Sequence, residues 1–178
     1  MNLMYILIYL NEGKMSQIIE PFIHYLNQMR TMMQRDDITE DLLKQRLSPD
    51  MFPLHQQVST AAALSLRCCC PLFNKEVRSF KRPNISITDL QQELDDTIEY
   101  LEHLESNPFE SMPSSVTFVA GFANHTLEPE QYFQFYAWPN FLFHFSMAYA
   151  ILRAAGLPLG KGDFDGFHRY PAGFSFPS

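Results

Sequence analysis

Trp138-Pro139-Asn140-Phe141-Leu142-Phe143-His144-Phe145-Ser146-Met147-Ala148-Tyr149-Ala150-Ile151-Leu152-Arg153 carries a single charged residue and offers no broad polar face. Followed to its boundaries, from about Pro129 to Ala155, the segment holds Tyr132, Phe133, Phe135, Tyr136, Trp138, Phe141, Phe143, Phe145 and Tyr149. A helix apolar nearly all round has to be buried against several neighbours. The stretch therefore predicts the innermost helix of a helical fold. Gly156 and Pro158 supply a stop: a glycine just past the last turn and a proline beyond it.

The neighbours that such a helix needs are legible upstream. Between Ser16 and Arg35, residues Ile18, Ile19, Phe22, Ile23, Leu26, Met29, Met32 and Met33 recur at three- and four-residue steps, the period of one helix face. Pro21 falls in the first turns, where its missing N–H costs least. A brief helix over Glu40 to Arg46 precedes the break at Ser48-Pro49-Asp50. A second long helix is expected from Pro53 to Cys70, with Leu54, Val58, Ala61, Ala62, Ser65 and Leu66 on one side and Pro71 closing it. A third carries Leu90, Leu94, Ile98, Leu101 and Leu104 up to Asn107-Pro108, and Thr88 with Gln91 resembles a capping box at its start. Val116 to Val119 and Thr126-Leu127, flanking Gly121 and Asn124, read as a small hairpin or irregular insertion before the last helix. The expectation is an all-α four-helix bundle.

Composition narrows the function. The chain has 178 residues, 46% hydrophobic and 19% charged, which is enough for one core without staples. Its formal charge is −7, with no face that gathers Lys and Arg, so nucleic acid is not an expected partner. The apolar run Met1 to Leu10 is short of the ~20 residues a membrane-spanning helix needs, and no membrane partner is expected. It also lacks the basic leader and cleavage site of a signal peptide, so a cytoplasmic location follows. Cys68, Cys69 and Cys70 are adjacent and lack C-x-x-C spacing; they read as small buried apolar residues.

Two runs are specific enough to carry a family resemblance. Pro49-Asp50-Met51-Phe52-Pro53-Leu54-His55-Gln56-Gln57-Val58 resembles the PDM-x-PL-x-x-QV motif of the DUF1993 family, within the DinB-like superfamily. Pro139 to His144, continuing through Ala148 to Arg153, Gly156, Pro158 to Lys161 and Asp163-Phe164, resembles that family's second signature. The resemblance spans about residues 16–164 and leaves 1–15 as an N-terminal extension and 165–178 as an aromatic tail. It implies a DinB-like up-down-down-up bundle. It also implies comparison with superfamily relatives that are metal-dependent thiol transferases and isomerases, with one histidine on the second helix and an H-x-x-x-H pair on the last.

That pattern is incomplete here. His144 stands alone on its helix, because Asn140 and Ala148 occupy the positions four residues away. Two histidines, His55 and His144, with amide partners make a poor zinc site, so no metal or other cofactor is expected. Gln57 and Asn140 face the interior by spacing, where a polar side chain needs a partner or a ligand. Asp50, Lys161 and Asp163 read as capping or pairing residues at helix ends. The expected site is an interior, mostly apolar pocket edged by His55, Gln57, Asn140, His144 and Tyr149. Its role would be to bind a small apolar molecule, or to run a metal-independent isomerase or lyase step with His144 moving a proton. The rivals are a metal- and thiol-dependent transferase and a non-catalytic domain that forms a homodimer.

Overall fold

The computed structural model describes residues 16–106, 111–171 and 174. The extension 1–15, the Asn107-Pro108 stop and most of the last seven residues lie outside the described residues. The chain is mostly helical, with one small antiparallel hairpin. Helix α1 spans Ser16–Met33, α2 Leu54–Leu72 and α3 Ile87–Glu105; β1 (Val116–Ala120) and β2 (Ala123–Leu127) form the hairpin. The final helical run comprises α4 (Pro129–Gln131), a wide π turn (Tyr132–Ala137) and α5 (Trp138–Ala154), followed by a short α6 (Lys161–Asp165).

The apolar periodicities become one core. From α1, Ile19, Phe22, Leu26, Met29, Met32 and Met33 are buried. They meet Leu94, Ile98 and Leu101 of α3 and Phe141, Phe145 and Leu152 of α5 in a single cluster. Each large side chain so buried contributes about 1.5–3 kcal/mol relative to exposure. Phe22 is a hub: the rings of Trp138 and Phe141 meet it edge-on at 5.1 and 4.8 Å. The most extensive helix pairing joins α2 to α5, as expected of the aromatic-rich helix.

Pro139 dictates the shape of that helix. A proline inside a helix donates no hydrogen bond, and its ring strikes the carbonyl four residues back. Widening the turn over Tyr132–Ala137 accommodates it, while the backbone stays right-handed helical at Gln131, Ala137 and Trp138, with φ between −63° and −67°. π turns of this kind are single-turn insertions in longer helices. Next to the proline, Asn140 folds back on its own helix, its Nδ2 donating to the Tyr136 carbonyl at 2.6 Å.

Several local expectations need correction. Pro71 does not close α2; it sits in the last turn, and the helix ends when Phe73 N donates to the Cys69 and Cys70 carbonyls. The cap of α3 is Ser86, whose Oγ accepts from Asp89 N at 3.0 Å, so the capping residue lies two positions before Thr88. Gln91 bridges helices instead, donating from Nε2 to the Met33 carbonyl at the end of α1, 2.8 Å away. Asp50 caps nothing; Ser48 Oγ donates to it, and α2 starts from Pro53, with Leu54 N donating to the Gln45 carbonyl at 2.8 Å. The segment expected as a brief helix over Glu40 to Arg46 forms a three-residue 3-10 turn, Leu42–Lys44.

The hairpin turns through Gly121 and Phe122, and Gly121 takes φ +59°, a conformation that favours glycine. Phe118 anchors it against Tyr132 and Tyr136, ring centroids 4.9 and 4.1 Å away. Tyr132 in turn donates from its buried hydroxyl to the Arg67 carbonyl on α2, at 2.6 Å. After α5, the chain packs back on α1: His24 Nε2 bonds the Asp165 carbonyl at 2.8 Å and Gln28 Nε2 donates to the Gly162 carbonyl at 3.1 Å. Asp163 caps α6 by accepting from Gly160 N at 2.6 Å.

That return is tightest at one glycine. A Cβ on Gly162 would lie 2.2 Å from the His168 carbonyl oxygen, whereas one on Gly160 would meet only Asp163 Oδ2, at 3.8 Å. Gly162→Ala is expected to cost about 1–3 kcal/mol through forced backbone movement. Gly160→Ala is expected to stay within about 0.5 kcal/mol. Urea unfolding of the two variants checks the contrast.

Candidate functional site

The two family-like runs meet in space. Gln57 lies one turn into α2 and is 1% exposed; His144 is half-buried on α5. His144 Nδ1 and Gln57 Oε1 are 2.7 Å apart, and Gln57 Nε2 donates to the Phe52 carbonyl at 3.3 Å. The second bond fixes the first. An amide nitrogen must be the group facing a carbonyl, so the amide oxygen faces the imidazole, and an oxygen can only accept. Nδ1 therefore carries the proton, and Nε2 keeps its lone pair. Among the described residues Nε2 has no hydrogen-bonding partner.

Aromatic rings flank that imidazole. Phe52 stacks on the imidazole at 5.9 Å with planes 17° apart, and Phe143 meets it edge-on at 5.2 Å. Both rings remain substantially exposed, at 42% and 50%. Burial pushes the His144 pKa below the ordinary histidine value, because the cation loses hydration and no carboxylate compensates. The arrangement is a neutral, oriented imidazole with an acceptor nitrogen under an apolar rim. Such a group can accept a proton from a bound molecule, or a hydrogen bond from a ligand's N–H or O–H.

The other three expected site residues go elsewhere. His55, only two residues from Gln57, points to a different face of α2, where its Nδ1 bonds the Leu43 carbonyl at 2.9 Å. Asn140 spends its amide on its own helix at the π turn. Tyr149 packs edge-on against Phe164 at 5.4 Å, beside α6. Burial raises its pKa, which suits a neutral packed phenol. The five residues thus form no shared pocket: only Gln57 and His144 are joined. Phe52 and Phe143 were not anticipated, although both flank motif residues, at Phe52-Pro53 and Phe143-His144.

The donor set does not suit the metal that the superfamily comparison implies. Gln57 already occupies His144 Nδ1, positions 140 and 148 offer an amide and a methyl, and His55 faces away. Among the described residues no three His, Cys, Asp or Glu side chains gather as a metal-holding group. The cysteines are free and buried, and burial raises the Cys69 and Cys70 pKa values, so they pack as apolar groups. No helix among the described residues is long and apolar enough to cross a membrane.

Comparisons with known proteins agree with the fold and leave the chemistry open. One solved structure similar to this chain is the crystal structure of a DinB family member protein from Shewanella denitrificans. It shares 23% identity at a TM-score of 0.61, over 97% of this chain and 99% of that one. No curated protein matches. A family model described as a domain of unknown function, DUF1993, matches residues 12–165, and the chain therefore belongs to the DUF1993 family.

Proposed function

We propose that this protein is a DinB-like up-down-down-up four-helix bundle that binds a small, mostly apolar molecule at His144, where the imidazole serves as a metal-independent proton acceptor. The observation that carries the reading is the Gln57–His144 bond, which commits Nδ1 to its proton and leaves Nε2 as a lone-pair site under Phe52 and Phe143. A buried glutamine is costly to place in a core unless its bonds are made. Here both bonds serve to orient the histidine. A ligand laid on the two exposed rings would bring a C–H, N–H or O–H within reach of Nε2. If the reaction is an isomerisation or elimination, Nε2 takes the proton and the resulting imidazolium returns it. The placement is that of a cytoplasmic protein with reduced, buried cysteines.

Three outcomes check this reading. By NMR, His144 should show the Nδ1–H tautomer and titrate with a midpoint below about 6.5. Because its folded pKa is depressed, the unfolded chain binds the proton first. Its stability contribution is thus complete above the unfolded value and is lost as pH falls toward the folded one. Titration at or above the ordinary value would remove the base. Gln57→Leu is expected to scramble the tautomer and to leave the imidazole N–H unpaired, at a cost of about 1–3 kcal/mol in chemical unfolding. Small molecules co-purifying with the wild-type protein should be apolar and absent from His144→Ala; identical profiles from the two proteins would sink the site.

A further inference from the structure

On the opposite face of α2, His55, Ser59, Lys81, Arg82, Asp89 and Glu93 line a cleft of about 320 Å³ between α2, α3 and the segment that connects them. Its volume matches roughly ten waters at ~30 Å³ each, and therefore a ligand of about ten heavy atoms. This cleft is separate from the Gln57–His144 pair and does not depend on its assignment.

The chemistry of the walls is divided. On the helical wall, Glu93 is 5% exposed and Ser59 Oγ donates to its Oε1 at 2.6 Å. Its second oxygen has no partner among the described residues and is not sealed from the cleft. His55 lies one turn before Ser59 on the same face. Its Nδ1 must donate to the Leu43 carbonyl, at 2.9 Å, so Nε2 presents a lone pair. Asp89 adds a carboxylate whose Oδ2 is buried with no partner. His55 Nε2, Asp89 Oδ2 and one Glu93 oxygen thus line one wall with no hydrogen-bond donor on any of them among the described residues, and an unmet buried acceptor is costly unless a ligand supplies the donor. The connecting segment contributes the cations. Lys81 is exposed, and Arg82, paired to Asp96 through Nη2, leaves its Nε buried without an acceptor. Leu90 floors the space between.

From this division we infer that the cleft binds a small zwitterion of the amino-acid type. Its ammonium group meets Glu93, Asp89 and His55 Nε2, and its carboxylate meets Lys81 and Arg82. A simple anion would face the unpaired carboxylates, and a simple amine would leave the cationic wall unanswered.

The test titrates the full chain with each of the common free L-α-amino acids, followed by the backbone amide resonances of residues 55–60 and 81–93. At least one is expected to saturate these shifts with Kd near or below about 1 mM. Its N-acetyl derivative, which lacks the ammonium, and its carboxamide, which lacks the carboxylate, should each bind about tenfold more weakly or not at all. Glu93→Gln should weaken binding about tenfold, and His144→Ala should leave it unchanged. Because Glu93 is buried and its replacement could unfold the chain, the exposed Lys81→Met carries the same expectation on a folded protein. The proposal is overturned if no free amino acid shifts these residues at about 10 mM. Equal binding of the acetylated or amidated forms would also overturn it, as would an unchanged Kd in Lys81→Met.

Discussion

Pro139 cannot donate a backbone hydrogen bond, and the longest helical run among the described residues has to pass through it. Everything that this helix places depends on how that constraint is met. Breaking the helix would have exposed carbonyls in the core; widening one turn keeps the run helical. Beyond the turn, Phe141, Phe145, Ala148 and Leu152 face inward, and His144 faces Gln57. Within it, Tyr132 reaches α2 and packs against Phe118 of the hairpin. The same irregularity that permits the proline thus keeps α4 and α5 in one continuous helical run.

The helices were legible because burial imposes a periodicity that composition cannot hide. In α1 six of the eight residues with the helical spacing are buried, while Ile18 and Ile23 pack partly buried against the same core, and the aromatic density of the last segment did mark the helix that α2 covers most extensively. Ends were less legible. Ser86, Thr88, Asp50 and Pro71 all carry real capping or breaking chemistry, but which of them is used is decided by tertiary partners such as the Met33 and Gln45 carbonyls. The candidate site was half legible for a similar reason. Motif residues identify Gln57 and His144, and spacing says that Gln57 points inward. That His55 faces away from Gln57 follows from the helical angle between positions two apart. Nothing in the spacing alone tells that Asn140 bonds back at the π turn, because Pro139 demands an irregularity without specifying which turn widens.

Helix α2 emerges as an element with two chemical faces. One meets α5 through an oriented imidazole–amide pair dressed in aromatic rings. The other meets α3 through hydroxyls, carboxylates and His55. Two histidines, His144 on α5 and His55 on α2, therefore serve unlike surroundings, each with Nδ1 held by an oxygen acceptor and Nε2 without a partner among the described residues. Polar interiors of this kind are stable only when orientation is over-determined, and the Gln57 amide, bonded at both ends, meets that demand.

The three adjacent thiols near the end of α2 are each 0% exposed, and Cys69 and Cys70 are held in their protonated forms by burial. With all three thiols buried, an alkylating reagent reaches none until the end of α2 separates from its neighbours. The native chain is therefore silent toward alkylation, and its rate of labelling is a clock for opening events. Since Cys68, Cys69 and Cys70 point to different sides of one helix, that clock reads how each packed side of the C-terminal end of α2 opens, without any label being introduced.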